Sequence, residues 1–143
     1  MVKSRKVHKL EVEPDFSFVL IGVSSHESDY KLIWALNSKL ELKLARGANL
    51  VIPDTKTELN QEFSCYYGQS KEGNFQIHLL ANKSDNGFLI PELGNIDYFL
   101  KLTGEVYDLH KKKILDGLKE TGLVLATFLI QPDTLKSKSR LVF

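Results

Sequence analysis

Cysteine is almost absent from this sequence: Cys65 stands alone among 143 residues. A single thiol excludes an intrachain disulfide and a cysteine-rich zinc site. No apolar run reaches the roughly 18 residues that a membrane-spanning helix needs, so no such helix is expected. Met1-Val-Lys-Ser-Arg-Lys6 leads into no apolar stretch of the signal-peptide kind, which points to a cytoplasmic protein. Nine glycines and four prolines are too few for a collagen-like or low-complexity chain. No glycine-rich P-loop, dinucleotide fingerprint or nucleophile elbow is present, so no cofactor is expected. What remains is an ordinary globular composition, with 43% apolar and 26% charged residues. A chain of this length buries roughly two-thirds of its unfolded surface around one core, so 1–143 reads as a single domain.

Charge is balanced in number but not in place. The net +1 is made of +4 in residues 1–10, +2 in residues 132–143 and −5 between them. The basic stretches at about 1–6 and 133–143 read as flexible, solvated ends. Their alternative role is to dock on a phosphate backbone. They lack the interleaved aromatic residues on which single-strand binders stack bases.

Along the chain, 16–23 is a dense β-branched and aromatic run and reads as a strand; 7–12 alternates and reads as a short extra strand. Ser24-Ser-His-Glu27 fits a capping box, with a hydroxyl and a carboxylate three residues apart. Leu32, Ile33, Leu36 and Leu40 then recur at helical spacing, which predicts a helix from about 25 to 40. Residues 41–46 alternate as a strand with one wet face. Gly47, Asn49, Pro53 and Asp54 mark 47–60 as a loop. Residues 62–67 and 75–80 form a β-hairpin around a two-glycine turn. A turn at 82–87 and a short apolar stretch at 88–90 lead to Pro91, and 96–102 reads as a strand. A helix begins at Gly104, with Val106, His110, Ile114, Gly117 and Leu118 on one stripe, and Gly122 closes it. Residues 123–130 read as a final buried strand.

Shifted by 82 residues, the sequence echoes itself: Asp15 falls on Asp97, Gly22 on Gly104, and Leu32, Ile33 and Leu36 on Ile114, Leu115 and Leu118. Each segment reads as strand, helix, strand. Two such units around a hairpin predict an α+β fold, specifically a ferredoxin-like sandwich of two βαβ units with an inserted β-hairpin. Right-handed crossovers place both helices on one face of the sheet. A mixed α/β sheet is the alternative.

Ile90-Pro-Glu-Leu-Gly-Asn-Ile96-Asp-Tyr98 resembles the signature of the bacterial IPExxxVDY family, with Ile96 in place of the valine. The resemblance implies a small cytosolic bacterial protein and carries no activity with it. The residues can be read directly. Pro91 fixes φ and ends a strand. Asp97 is the odd residue on an otherwise apolar strand, and a half-buried carboxylate needs hydrogen bonds. Pro91, Glu92, Asp97 and Tyr98 are therefore candidate binding residues, or alternatively staples for a loop.

Ser24, Ser25 and His26 are the other candidates. They sit where a strand hands over to a helix, whose first N–H groups and dipole favour an anion. Glu27 and Asp29 compete for the same positive end. Cys65 lies among apolar strand residues and reads as an inert buried thiol. His8, His26, His78 and His110 show no metal-ligand spacing, so no metal is expected, and His110 reads as a hydrogen-bonded boundary histidine. Tyr30 and Trp34, one helical turn apart, read as core or dimer interface, with an exposed aromatic patch for a partner as the alternative. No catalytic pattern emerges. The expectation is a non-enzymatic binding or protein-interaction module, as a homodimer or with a protein partner, and without a membrane. A nucleic-acid-associated protein using its basic ends is the alternative. A weaker one is a small hydrolase or metal enzyme joining Glu92, Asp97 and a histidine.

Overall fold

A computed structural model describes residues 15–54, 56 and 58–143. The extra strand expected at 7–12 and the basic end at 1–6 lie outside the described residues. The elements run β1 (Val19–Ser24), α1 (Asp29–Leu40), β2 (Ala45–Arg46), β3 (Leu50–Pro53), β4 (Asn60–Phe63), β5 (Cys65–Gln69), β6 (Phe75–Ala81), β7 (Lys83–Ser84), β8 (Gly87–Phe88), β9 (Tyr98–Gly104), α2 (Asp108–Glu120) and β10 (Ala126–Ile130). Short 3-10 turns occupy Pro91–Leu93, Pro132–Thr134 and Lys138–Leu141. Six strands form one sheet in the order β10-β1-β9-β6-β5-β2, with every neighbouring pair antiparallel. The fold is α+β. No helix among the described residues is long and apolar enough to cross a membrane.

The sheet is buried on both faces, and for that reason β9 reads as an apolar run rather than an alternation. On one face, Ile21, Val23, Ile77, Leu79, Leu100 and Leu102 pack beneath Leu32, Ile33 and Leu36 of α1 and Ile114 and Leu118 of α2. Both helices thus lie on one face. Gly117 permits their approach: a Cβ there would stand 2.7 Å from Leu40. On the other face, Leu20, Cys65, Leu80 and Phe99 meet Phe63 from β4, Leu89, Ile90 and Ile96 from the 89–97 loop, and Leu135 and Leu141 from the last segment. Gly22 lets that loop press on β1, since a Cβ would come within 2.7 Å of Ile96.

Several local expectations change. The hairpin of 62–67 and 75–80 is present as β5 and β6. The supposed capping box does not form: α1 starts at Asp29, behind Ser28. Segment 41–44 is irregular because Asn37 holds Leu44 from both sides, its Nδ2 donating to the carbonyl at 3.0 Å and its Oδ1 accepting the N–H at 3.0 Å. The expected loop 47–60 contains β3, which pairs with β4 as a separate hairpin. Its turn residues lie at its ends and do not interrupt the Leu50 and Ile52 alternation. Helix α2 begins at Asp108, not Gly104. The 82-residue echo preserves the order of elements but not the residues: Gly22 lies buried inside β1, whereas Gly104 closes β9 with φ +126°.

Two corrections concern the end of the chain. The last strand, expected to be buried, is the sheet edge, with Phe128 and Leu129 exposed. The stretch 133–143, expected to be a solvated basic end, is packed down: Leu135 and Leu141 are buried, and Arg140 donates to the carbonyls of Phe88 and Leu89 at 3.1 and 3.0 Å.

Candidate functional site

The structure separates the seven candidate residues into two groups. Ser24, Ser25, His26, Asp97 and Tyr98 meet where β1 ends and β9 begins. Asp97 Oδ2 accepts the Ser25 N–H at 2.9 Å, and its Oδ1 pairs with Lys83 at 3.0 Å. Ser25 is buried; its hydroxyl donates to the Leu123 carbonyl at 2.7 Å and accepts the Glu27 N–H at 3.1 Å. Tyr98 donates its hydroxyl to the Glu27 carbonyl at 2.6 Å. Burial, with the carboxylates of Asp29 and Asp97 adding to it, pushes the Tyr98 phenol up to about 12, so it remains a donor at neutral pH. The His26 side chain is exposed. Beside these residues lies an open cavity of about 510 Å³, bordered by Ser25, His26, Glu27, Lys83, Asp97 and Tyr98.

This arrangement is a latch. The anion expected at the strand-to-helix turn is supplied internally, because Asp97 already accepts a backbone N–H there. An incoming phosphate would face Asp97, Glu27 and Asp29 with Lys83 already paired, which electrostatics disfavours.

Pro91 and Glu92 belong elsewhere. Pro91 opens the 3-10 turn. The Glu92 carboxylate accepts the Ser137 N–H at 2.8 Å and its hydroxyl at 2.9 Å, and so ties the last segment down. Burial acts against the Glu92 carboxylate, but the Ser137 N–H and further hydrogen bonds outweigh it and hold its pKa below the usual range. Glu92 and Asp97 thus serve different partners. Among the described residues, no three His, Cys, Asp or Glu are placed to hold a metal ion.

The residue that organises the signature was missed. Asn82, fully buried, donates to the carbonyls of Leu93 and Ile96 at 2.9 and 2.8 Å and accepts the Ile90 N–H at 2.8 Å. Its backbone also pairs with the Asp97 carbonyl and the Leu89 N–H at 2.9 and 2.8 Å. In sequence it looks like one more polar turn residue beside Ser84, Asp85 and Asn86. A second missed residue did leave a signal, a lone lysine in an apolar strand. Lys101 is buried, donates to the Leu141 carbonyl at 2.6 Å, and lies 3.9 Å from the Phe143 ring centre and 4.7 Å from that of Phe18. Burial pushes its pKa down.

Lys101 pairs in register with His78 of β6. The His78 ring packs between Tyr67 and Phe143, and its Nδ1 is buried without a partner among the described residues. Burial, with the Lys101 ammonium adding to it, lowers its pKa to about 4. Burial also raises the Cys65 thiol, which keeps it protonated and unreactive. His110 accepts the Tyr107 N–H at 3.0 Å, the boundary role expected of it.

The remaining feature is apolar and exposed. Tyr30 and Trp34 project from α1 at 68% and 71% exposure, outside the core. On β10 and just before it, Leu125, Phe128 and Leu129 are 64%, 42% and 60% exposed. No family model, curated protein or solved structure matches the chain.

Proposed function

We propose that the protein is a non-enzymatic protein-interaction module of the cytoplasm, similar to the IPExxxVDY family in its residues 90–98. The observation that carries this reading is the edge strand β10, which has no partner on its outer side among the described residues and where Phe128 and Leu129, with Leu125 just before the strand, face solvent. Soluble proteins blunt such edges with charge, proline or a covering loop, and a bare one is a template for pairing. The strand order β10-β1-β9-β6, with a helix following β1 and another following β9, supports a ferredoxin-like sandwich extended by β5 and β2. On this reading the 90–98 signature is scaffold: Asn82, Asp97 and Glu92 use it to fasten a loop and the last segment. The nucleic-acid alternative gains nothing from the last segment, where Arg140 is directed at carbonyls and Lys138 sits 5.0 Å from the Phe16 ring.

The reading is tested by comparing stability with surface behaviour. A surface that exists for binding contributes little to the fold of a single chain, so, at concentrations low enough that copies do not associate, Leu129→Lys and Leu125→Lys should change unfolding free energy by no more than about 0.5 kcal/mol. They should also reduce binding of an apolar dye to the native protein. A loss of several kcal/mol in urea unfolding would instead make these side chains part of the core and sink the reading.

A further inference from the structure

The partner of this edge can be inferred from the strand itself and from the opposite edge of the sheet. We infer that β10 pairs antiparallel with β10 of a second copy of the same chain, joining two six-stranded sheets into one continuous sheet across a two-fold axis; this rests on the interaction-module reading above.

Three observations favour a second copy over a foreign strand. First, β10 is Ala126-Thr-Phe-Leu-Ile130 and carries no charge, so self-pairing places no like charges opposite each other. Second, the apolar surface lies on both faces of the strand. Phe128 is opposite Gly22 and Leu129 opposite Ile21, neighbouring residues that point to opposite sides of the sheet. With the two-fold axis at Phe128, a mate sets Phe128 against Phe128 on one face and Leu129 against Thr127 on the other; with the axis at Thr127, Leu129 meets Leu125 and Phe128 meets Ala126, and either register extends the contact beyond the backbone ladder. Third, among the described residues the sheet has only one such edge. The other is β2, two residues long and bearing Arg46, whose guanidinium bonds Asn49 and lies 5.6 Å from the Tyr66 ring centre. A short charged edge does not template pairing. One open edge and one blocked edge give a closed pair, where two open edges would give a fibre.

The test uses the whole chain, by light scattering after size exclusion from low to high micromolar concentration. The expected result is twice the chain mass for the parent protein. Leu129→Lys and Phe128→Lys should return it to one chain mass with unchanged circular dichroism. Trp34→Glu, on the exposed face of α1, should stay at twice the mass. Single cysteines placed in turn at 126–130, in a Cys65→Ala background, should cross-link fastest at one position near the axis and slower on either side. If a lysine variant fails to fold, this small-residue scan decides the matter alone.

A parent protein with one chain mass at every concentration overturns the inference, and so does a pair that survives both lysine substitutions or a scan with no maximum. A pair lost only in Trp34→Glu overturns the β10 pairing and leaves the interaction-module reading standing on another surface. The module reading itself fails only through the stability comparison, so the two failures are distinguishable.

Discussion

The two faces of the sheet are covered in different ways. The first is covered by α1 and α2, which satisfy their own backbone hydrogen bonds and need offer only apolar side chains. The second is covered mostly by pieces without long regular elements, the 89–97 loop and the 132–143 segment, together with the small β3–β4 hairpin. Irregular backbone brings N–H and C=O groups that the sheet cannot satisfy, and each needs a partner when buried. The second face therefore contains polar pins. Asn82 closes the 89–97 loop, Lys101 holds the Leu141 carbonyl, Glu92 holds Ser137, and Arg140 reaches back to Phe88 and Leu89. The first face is stabilised by apolar burial, the second by burial together with polar contacts that pin the irregular segments, His78 Nδ1 being the buried atom left without a partner among the described residues.

Substitutions on the two faces sharpen this contrast. Asn82→Ala should have the largest effect, about 3–5 kcal/mol in urea unfolding, because it strands an N–H and two carbonyls in a dry site. Leu36→Ala, a large cavity on the helix face, should cost about 2–4 kcal/mol. A negligible effect of Asn82→Ala would break the comparison, since a removed polar pin would then be tolerated where a removed apolar side chain is not.

The next effect depends on pH. The His78 pKa is about 4 in the fold against an ordinary 6.5. Below pH 6.5 the unfolded chain takes up a proton that the folded chain refuses, so stability falls as pH drops from 6.5 towards 4. His78 is only half buried, so solvent screening reduces the effect to about 1–2 kcal/mol. His78→Gln should remove that part of the pH dependence, and parallel curves for parent and variant would refute the assignment.

Smaller again is Lys101→Met. Removing a buried charge relieves desolvation while leaving the Leu141 carbonyl unpaired, so the net global change should be within about 1 kcal/mol. Amide exchange should nevertheless speed up through 135–143 and stay unchanged in α1 and α2. Glu92→Gln should have the smallest effect, about 0.5 kcal/mol, confined to the same segment because the carboxylate is largely exposed. Equal acceleration in the helices would show that the segment does not open independently.

The contrast between the faces also explains what could be read from the sequence. The helix face was legible: the Leu32–Leu36 and Ile114–Leu118 stripes sit at helical spacing, and the hairpin of β5 and β6 announces itself by two apolar runs around Gly68 and Gly73. The other face was not, because its contributors are far apart in the chain and have no period. Phe63, Ile90, Ile96, Leu135 and Leu141 become one cluster only when the sheet brings them together. The candidate site shows the same division. That Asp97 needed hydrogen-bond partners followed from its lone place in an apolar strand; that Ser25 N–H and Lys83 supply them did not. The stretch 133–143 looked like a solvated tail because its charges are conspicuous, while its anchors are two leucines.

The sequence by itself determined the α+β class, the two helices with their buried stripes, the hairpin, and the burial of Cys65, since each depends on local periodicity or composition. The tertiary structure decided which strand became the edge, that the last segment lies on the sheet, that Glu92 and Asp97 serve different partners, and that Asn82 is the hub. Those outcomes depend on which distant groups meet, and hydrogen-bond satisfaction and strand order are settled only when the whole sheet has assembled.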